Sequence, residues 1–410
     1  MVRYTLLTAT LLGFTAAQTP GKGREVHPKL TTWECTKRGG CKAQDTAIVL
    51  DSSNHPNYQK NDTTKNCGNW GEAANPAVCP DEKTCAQNCI MDGISNYADY
   101  GITTNGGSLK MDFFGKNNFA SPRAYLLAKD EKKYEMVKLT GKEFTFDVDI
   151  SRAPCGMNGA LYLSEMKEDG GRSKLNPAGA SYGTGYCDAQ CYTTPFVNGG
   201  NIDGSGVCCN EMDIWEANSR ATSIAPHTCS KPSLFQCKGA ECGPTGLCDK
   251  NGCGNNPYRS DVKNFYGRGL KVDTTKPFTV ITQFPAKNGV LQSIERKYVQ
   301  NGILYENEPR NVTMNDAYCA ANGAEMFLKD GAMKGMGDAL SRGMVLAFAL
   351  WWDQGGFMQW LDSGDAGPCD ATEGDPKNII KVEKAPTVTF SQIKWGEIGS
   401  TFKASNQWIA

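Results

Sequence analysis

The chain has 410 residues, 43 basic and 44 acidic side chains for a formal charge of −1, and 40% hydrophobic residues. With no basic stripe and no basic amphipathic segment, that balance excludes nucleic-acid or membrane-surface binding driven by charge. Eighteen cysteines stand against three histidines and no Cys-x-x-Cys spacing occurs, which reads as a disulfide framework and not as a zinc protein.

Taken in chain order, Arg3, the apolar run Leu6 to Phe14 and the small residues Thr15-Ala16-Ala17 form the pattern of a secretory signal peptide over residues 1–17. The apolar run is too short to cross a bilayer, and nothing later approaches the roughly 20 apolar residues a membrane helix needs. The expected mature protein, residues 18–410, is secreted and extracellular. Asn61-Asp62-Thr63 and Asn311-Val312-Thr313 are glycosylation acceptors, which places Asn61 and Asn311 at the surface.

Strand-like runs follow at Ala47–Leu50, Phe144–Ile150, Ala160–Leu163, Phe278–Phe284, Met344–Trp352 and Thr387–Phe390, separated by turns drawn from 45 glycines. Short helices are predicted from Pro80-Asp81-Glu82 onward and over Gly331–Arg342. No Pro/Ser/Thr-rich linker and no repeat interrupts the chain, so one domain is expected, without an appended carbohydrate-binding module. Many short strands with few helices predict an all-β fold, a curved antiparallel β-sandwich whose long loops are pinned by up to nine disulfides. Cysteine spacing leaves their connectivity open. A monomer is expected, and no metal or organic cofactor is called for.

The most informative stretch is Asn210-Glu211-Met212-Asp213-Ile214-Trp215-Glu216. In a regular strand Asn210, Met212 and Ile214 face one way, and Glu211, Asp213 and Trp215 the other. Glu216 would then fall on the wrong face unless one extra residue is absorbed, so a bulge is predicted near Ile214-Trp215. With it, Glu211, Asp213 and Glu216 share a face, and the two Glu side chains can converge to the ~5 Å of a retaining glycosidase. A helix cannot do this, because residues five apart lie about 140° apart around its axis.

This stretch closely resembles family 7 of the glycoside hydrolases, the fungal cellulases with a β-jelly-roll sandwich. The likeness runs through Glu25-Val26-His27-Pro28-Lys29-Leu30, Cys155 to Tyr162, Gly185 to Cys191, Ala225-Pro226-His227, Asn256-Pro257-Tyr258-Arg259, Trp360-Leu361-Asp362 and Gly396 to Ser400. It implies a retaining double displacement with Glu211 as nucleophile, Glu216 as general acid and then base, and Asp213 between them. On electrostatic grounds Asp213 should keep Glu216 protonated while Glu211 stays ionised, with the cluster titrating together. The resemblance further implies His227 beside the acid/base residue, Asn158, Tyr162, Tyr186, Asp188 and Gln190 as cleft walls, and Trp351 and Trp360 as glucose platforms. Arg259 is expected to bond product-side sugars. One of Trp351 and Trp352 must face inward; Trp351 is expected in the cleft and Trp352 in packing or at a rim.

Within that family loop length separates open clefts from roofed tunnels. The spans Tyr192–Val207 and Trp360–Cys369 are short, which points to a secreted endo-β-1,4-glucanase acting on internal bonds of β-1,4-glucan. A cellobiohydrolase of the same family and a non-catalytic β-glucan-binding sandwich are the alternatives. After Leu50-Asp51 the chain reads Ser52-Ser53-Asn54-His55-Pro56-Asn57-Tyr58, where the resemblance implies tryptophans. That departure makes soluble or amorphous glucans the expected substrates.

Overall fold

A computed structural model describes residues 19–68, 72–116, 118–194, 201–306 and 312–402. The expected signal segment 1–17 and Asn311 lie outside them. Twelve strands make the main hydrogen-bonded path: β1 (Lys29–Thr36), β2 (Gly40–Leu50), β3 (Arg123–Leu127), β4 (Lys142–Arg152), β5 (Met157–Ser164), β6 (Glu211–Ala217), β7 (Thr222–His227), β8 (Phe278–Gln283), β9 (Glu295–Gln300), β10 (Ile303–Glu306), β11 (Met344–Trp352) and β12 (Thr387–Glu397). Their spatial order is β7-β6-β5-β11-β3-β2-β1-β12-β4-β8-β9-β10. All pairings on this path are antiparallel except β1 with β12.

The path folds back on itself, and that is what makes the sandwich. Phe144, Phe146, Val148 and Ile150 alternate along β4 and all enter the core, as the period of two predicts. They meet Leu161 and Leu163 of β5, Met212 of β6 and Leu346 and Phe348 of β11 in the same cluster. Trp215 is fully buried, with Phe146, Phe278 and Tyr298 around it at ring separations of 6.0, 5.9 and 6.5 Å. Burying side chains of this size is worth about 1.5–3 kcal/mol each, so the layer fixes β6 firmly.

Among the strands outside the expected set, β1 carries Lys29 and Glu34, β9 carries Glu295 and Lys297, and β7 contains Pro226. The predicted helices form as Glu82–Asn88, capped by Asp81 accepting from Thr84 N–H at 2.8 Å, and Ala332–Arg342.

All eighteen cysteines pair, as Cys35–Cys41, Cys67–Cys89, Cys79–Cys85, Cys155–Cys369, Cys187–Cys209, Cys191–Cys208, Cys229–Cys248, Cys237–Cys242 and Cys253–Cys319. Two of them, from Cys187 and Cys191, staple the preceding loop to Cys209 and Cys208, immediately before β6. A third ties Cys229, just after β7, to Cys248.

Candidate active site

The bulge lies where the carboxylate spacing predicts it. On β7, Ala225 and Ser223 face Asp213 and Glu216, so three steps along β6 oppose two, and β5 shows the same excess between Met212 and Trp215. Ile214 and Trp215 both turn into the core. Regular alternation had put Trp215 on the cleft face. The bulge instead sends two consecutive apolar residues inward, and Glu216 returns to the side that carries Asp213.

Each carboxylate has a defined holder. Glu211 accepts from the Ala189 N–H at 3.0 Å, a contact set by the two disulfides that bring the loop onto β6. Glu216 accepts from Asn158 Nδ2 at 2.9 Å, and Asn158 Oδ1 takes the Ala217 N–H at 3.1 Å, which fixes the amide's orientation. Asp213 lies 3.0 Å from His227 Nε2, while His227 Nδ1 lies 3.0 Å from the Asp249 carbonyl. A carbonyl only accepts, so Nδ1 carries a hydrogen and the Nε2–Asp213 contact shares one proton between ring and carboxyl. Gly252 permits this seat: at φ +73° it lies so close that a Cβ would stand 2.8 Å from the imidazole's Cε1 and Nε2.

Burial and mutual repulsion govern the charge state. Burial first, then Asp213 and Asp188, push Glu211 well above the usual carboxylate range. Asp213 is raised to about 8 by burial and by Asp188, and Glu216 to about 8 by burial and by Asp213. All three are raised, so burial and charge do not by themselves separate an ionised Glu211 from a protonated Glu216 as the sequence reading expected.

The remaining candidates fall into three groups. Tyr162 and Tyr186 touch through their hydroxyls at 3.1 Å, and Tyr186 bonds Asp188, which also accepts the Cys191 N–H at 3.1 Å. The Arg123 guanidinium stacks 3.6 Å from the Tyr186 ring and pairs with buried Asp51 at 3.1 Å. Gln190 turns its amide to the Lys250 carbonyl at 2.8 Å. Trp351 pairs with Asn158 and packs with Ala160 and Tyr162, whereas Trp352 lies on the other face against Phe113 at 4.3 Å. Trp360 is 43% exposed on a turn of helix over Gln359–Asp362. Asp362 bonds Asn218 Nδ2 and the Gly156 N–H, both at 2.7 Å, which ties that turn to the end of β6. Arg259 lies beside it, 3.4 Å from the Trp360 carbonyl and 3.6 Å from Asp365. Asn61 is exposed in a turn.

Sequence reading passed over Asp249, Lys250, Gly252, Arg123 and Asp51. Only the closeness of Cys248 and Cys253, which bound a short loop, hinted at the first three.

A profile described as Glycosyl hydrolase family 7 matches residues 20–402. The chain belongs to glycosyl hydrolase family 7. It is 56% identical over 410 residues to Endoglucanase EG-1 of Humicola insolens, covering 97% of this chain and 94% of that one. A solved structure of an endoglucanase I complexed with cellobiose shares 56% identity at a TM-score of 0.91, covering 94% of this chain and all of that one. A family 7 cellobiohydrolase from Daphnia pulex matches at 35% identity and a TM-score of 0.85, again over 94% of this chain and all of that one.

Proposed function

We propose that this chain is a secreted endo-β-1,4-glucanase that hydrolyses internal bonds of β-1,4-glucan with retention of anomeric configuration, as a monomer. The observation that carries the reading is the β6 bulge, which turns Ile214 and Trp215 into the core and leaves Glu211, Asp213 and Glu216 to the cleft. In this reading Glu216, aimed by Asn158, protonates the glycosidic oxygen while Glu211 attacks the anomeric carbon. Glu216 then takes a proton from the water that breaks the glycosyl-enzyme ester. Ionisation of Glu211 is opposed first by burial and then by Asp213 and Asp188, so a proton resting on the Asp213–His227 pair removes one repulsion at the moment of attack. Trp351 and Trp360 offer aromatic faces to sugar rings, and Arg259 stands on the Trp360 side.

Endo action is favoured over exo by the compact Trp360–Cys369 turn. The Cys369 N–H bonds the Asp362 carbonyl at 2.9 Å, and Gly367 crosses so close that a Cβ would lie 2.2 Å from that oxygen, which leaves no covering arm. The other short span, Tyr192–Val207, falls partly outside the described residues. Greater likeness to the endoglucanases than to the cellobiohydrolase points the same way. Where tryptophans were implied, Ser52–Asn54 form a tight turn and His55 is buried against Tyr182, which favours soluble or amorphous glucans.

The test is carboxymethylcellulose viscosity against reducing ends, with the first-formed anomer followed by proton NMR. A steep viscosity fall with few new ends and initial β-anomer supports the proposal. Initial α-anomer rejects the mechanism, and cellobiose release at constant viscosity rejects endo action.

A further inference from the structure

Two loops meet beside the carboxylates through a reciprocal pair of bonds. Lys250 Nζ donates to the Gln190 carbonyl, and Gln190 Nε2 donates to the Lys250 carbonyl at 2.8 Å. Each partner stands one residue after a contact to the catalytic group: Ala189, whose N–H meets Glu211, precedes Gln190, and Asp249, whose carbonyl meets His227, precedes Lys250. The Lys250 loop is fixed on its far side by the Cys253 N–H to the Pro226 carbonyl at 3.1 Å and by the Cys229–Cys248 bridge. The Gln190 loop is fixed by Cys187–Cys209 and Cys191–Cys208. A half-buried ammonium group is a costly way to tie two stapled loops, since burial disfavours its charge.

We propose that Lys250 is a positioning residue for the nucleophile: clasped to Gln190, it holds the Ala189 N–H on Glu211 and supplies a fixed positive charge to the Asp188–Glu211 side of the cluster. It rests on the reading of Glu211 as nucleophile. The charged groups concerned are Asp188 and Glu211, which attract Lys250, and beyond them Asp213 and His227, which act on Glu211. A neighbouring cation favours the ionised carboxylate, so its loss delays ionisation of Glu211 to higher pH.

The experiment measures kcat/KM against pH for Lys250→Met, Lys250→Gln and Lys250→Arg, with melting temperature alongside. Gln keeps a donor for the Gln190 carbonyl but no charge, and Arg keeps both. The expected result is an acid limb displaced upward by about 0.5–1 pH unit in Met and Gln, a fall of roughly 3–10-fold on that limb, and a wild-type limb in Arg. If Met does not fold, Gln and Arg decide. An unmoved limb in both neutral variants, or equal rate losses in all three, overturns the proposal and leaves a plain structural tie. Glu211→Gln run in parallel separates the two readings, because retained turnover there would sink the nucleophile assignment whatever Lys250 does.

Discussion

Two histidines in this protein are seated alike and serve carboxylates that end in opposite states. His55 Nδ1 lies 3.1 Å from the Asp51 carbonyl and its Nε2 3.2 Å from Glu25; His227 Nδ1 lies 3.0 Å from the Asp249 carbonyl and its Nε2 3.0 Å from Asp213. Both carboxylate side chains are largely closed to solvent, at 8% and 9% exposure. Burial alone would raise Glu25, but His55, the Tyr97 hydroxyl and the Ile94 N–H at 2.7 Å hold it below its ordinary value. Asp213 is pushed up first by burial and then by Asp188, and rises to about 8. A carboxylate with several donors around it is a structural hub, whereas one that has a single histidine partner and other carboxylates beside it holds its proton to higher pH, which is the state proton transfer can use.

The largest effect should separate the two regions by activity. Glu211→Gln is expected to lower kcat on soluble glucan by about 10⁴-fold or more while leaving oligosaccharide binding within a few-fold, because the attacking group is gone and the shape is kept. Glu25→Gln should leave kcat within about twofold. Initial rates and calorimetric titration decide, and comparable losses in both would abolish the distinction.

The second effect reverses the roles. Glu25→Gln puts an amide nitrogen among donors at His55, Tyr97 and Ile94 N–H, at an expected cost of about 2–3 kcal/mol and a melting point lower by about 3–6 °C near neutral pH. Differential scanning calorimetry reads it directly. An unchanged midpoint would mean that the Glu25 hub does not hold the Ser52–Asn54 turn against the N-terminal segment.

How much of this was legible follows from what is local. The bulge was readable because Glu211, Asp213 and Glu216 violate a period of two within seven residues, and the core face of β4 because Phe144 to Ile150 obey it. Trp215 was misplaced because alternation was carried through the bulge it helps to form. The Glu25 hub joins residues 30 to 72 positions apart through the His55 and Tyr97 side chains and the Ile94 N–H, and the Lys250–Gln190 clasp spans 60 positions through two backbone carbonyls; contacts at such separations leave no local spacing pattern in sequence. The upward shift of Glu211 escaped the sequence because its largest cause, burial, is a tertiary quantity, and because Asp188, which adds to the effect of Asp213, approaches only through loop folding.

The smallest effect is the most discriminating, since the two regions should respond to pH with opposite sign. Glu25 has a lowered folded value, so its contribution is present above the ordinary carboxylate range and fades as pH falls through that lowered value. Asp213 and Glu216 are raised from 3.8 and 4.5 to about 8, so the folded state is favoured while they hold protons and loses stability as pH climbs toward 8. Asp213→Asn keeps an N–H for His227 Nε2 and removes one charge that repels both Glu211 and Glu216. Its melting point should match wild type near pH 4.5 and exceed it by about 2–4 °C at pH 8.5. The deficit of Glu25→Gln should run the other way, widest near neutrality and shrinking in acid. Melting curves for wild type and the two variants that stay parallel across this range would show that the carboxylates of the cleft are no more strained than the one beneath the Ser52–Asn54 turn, and the contrast between the two histidine seats would fall with it.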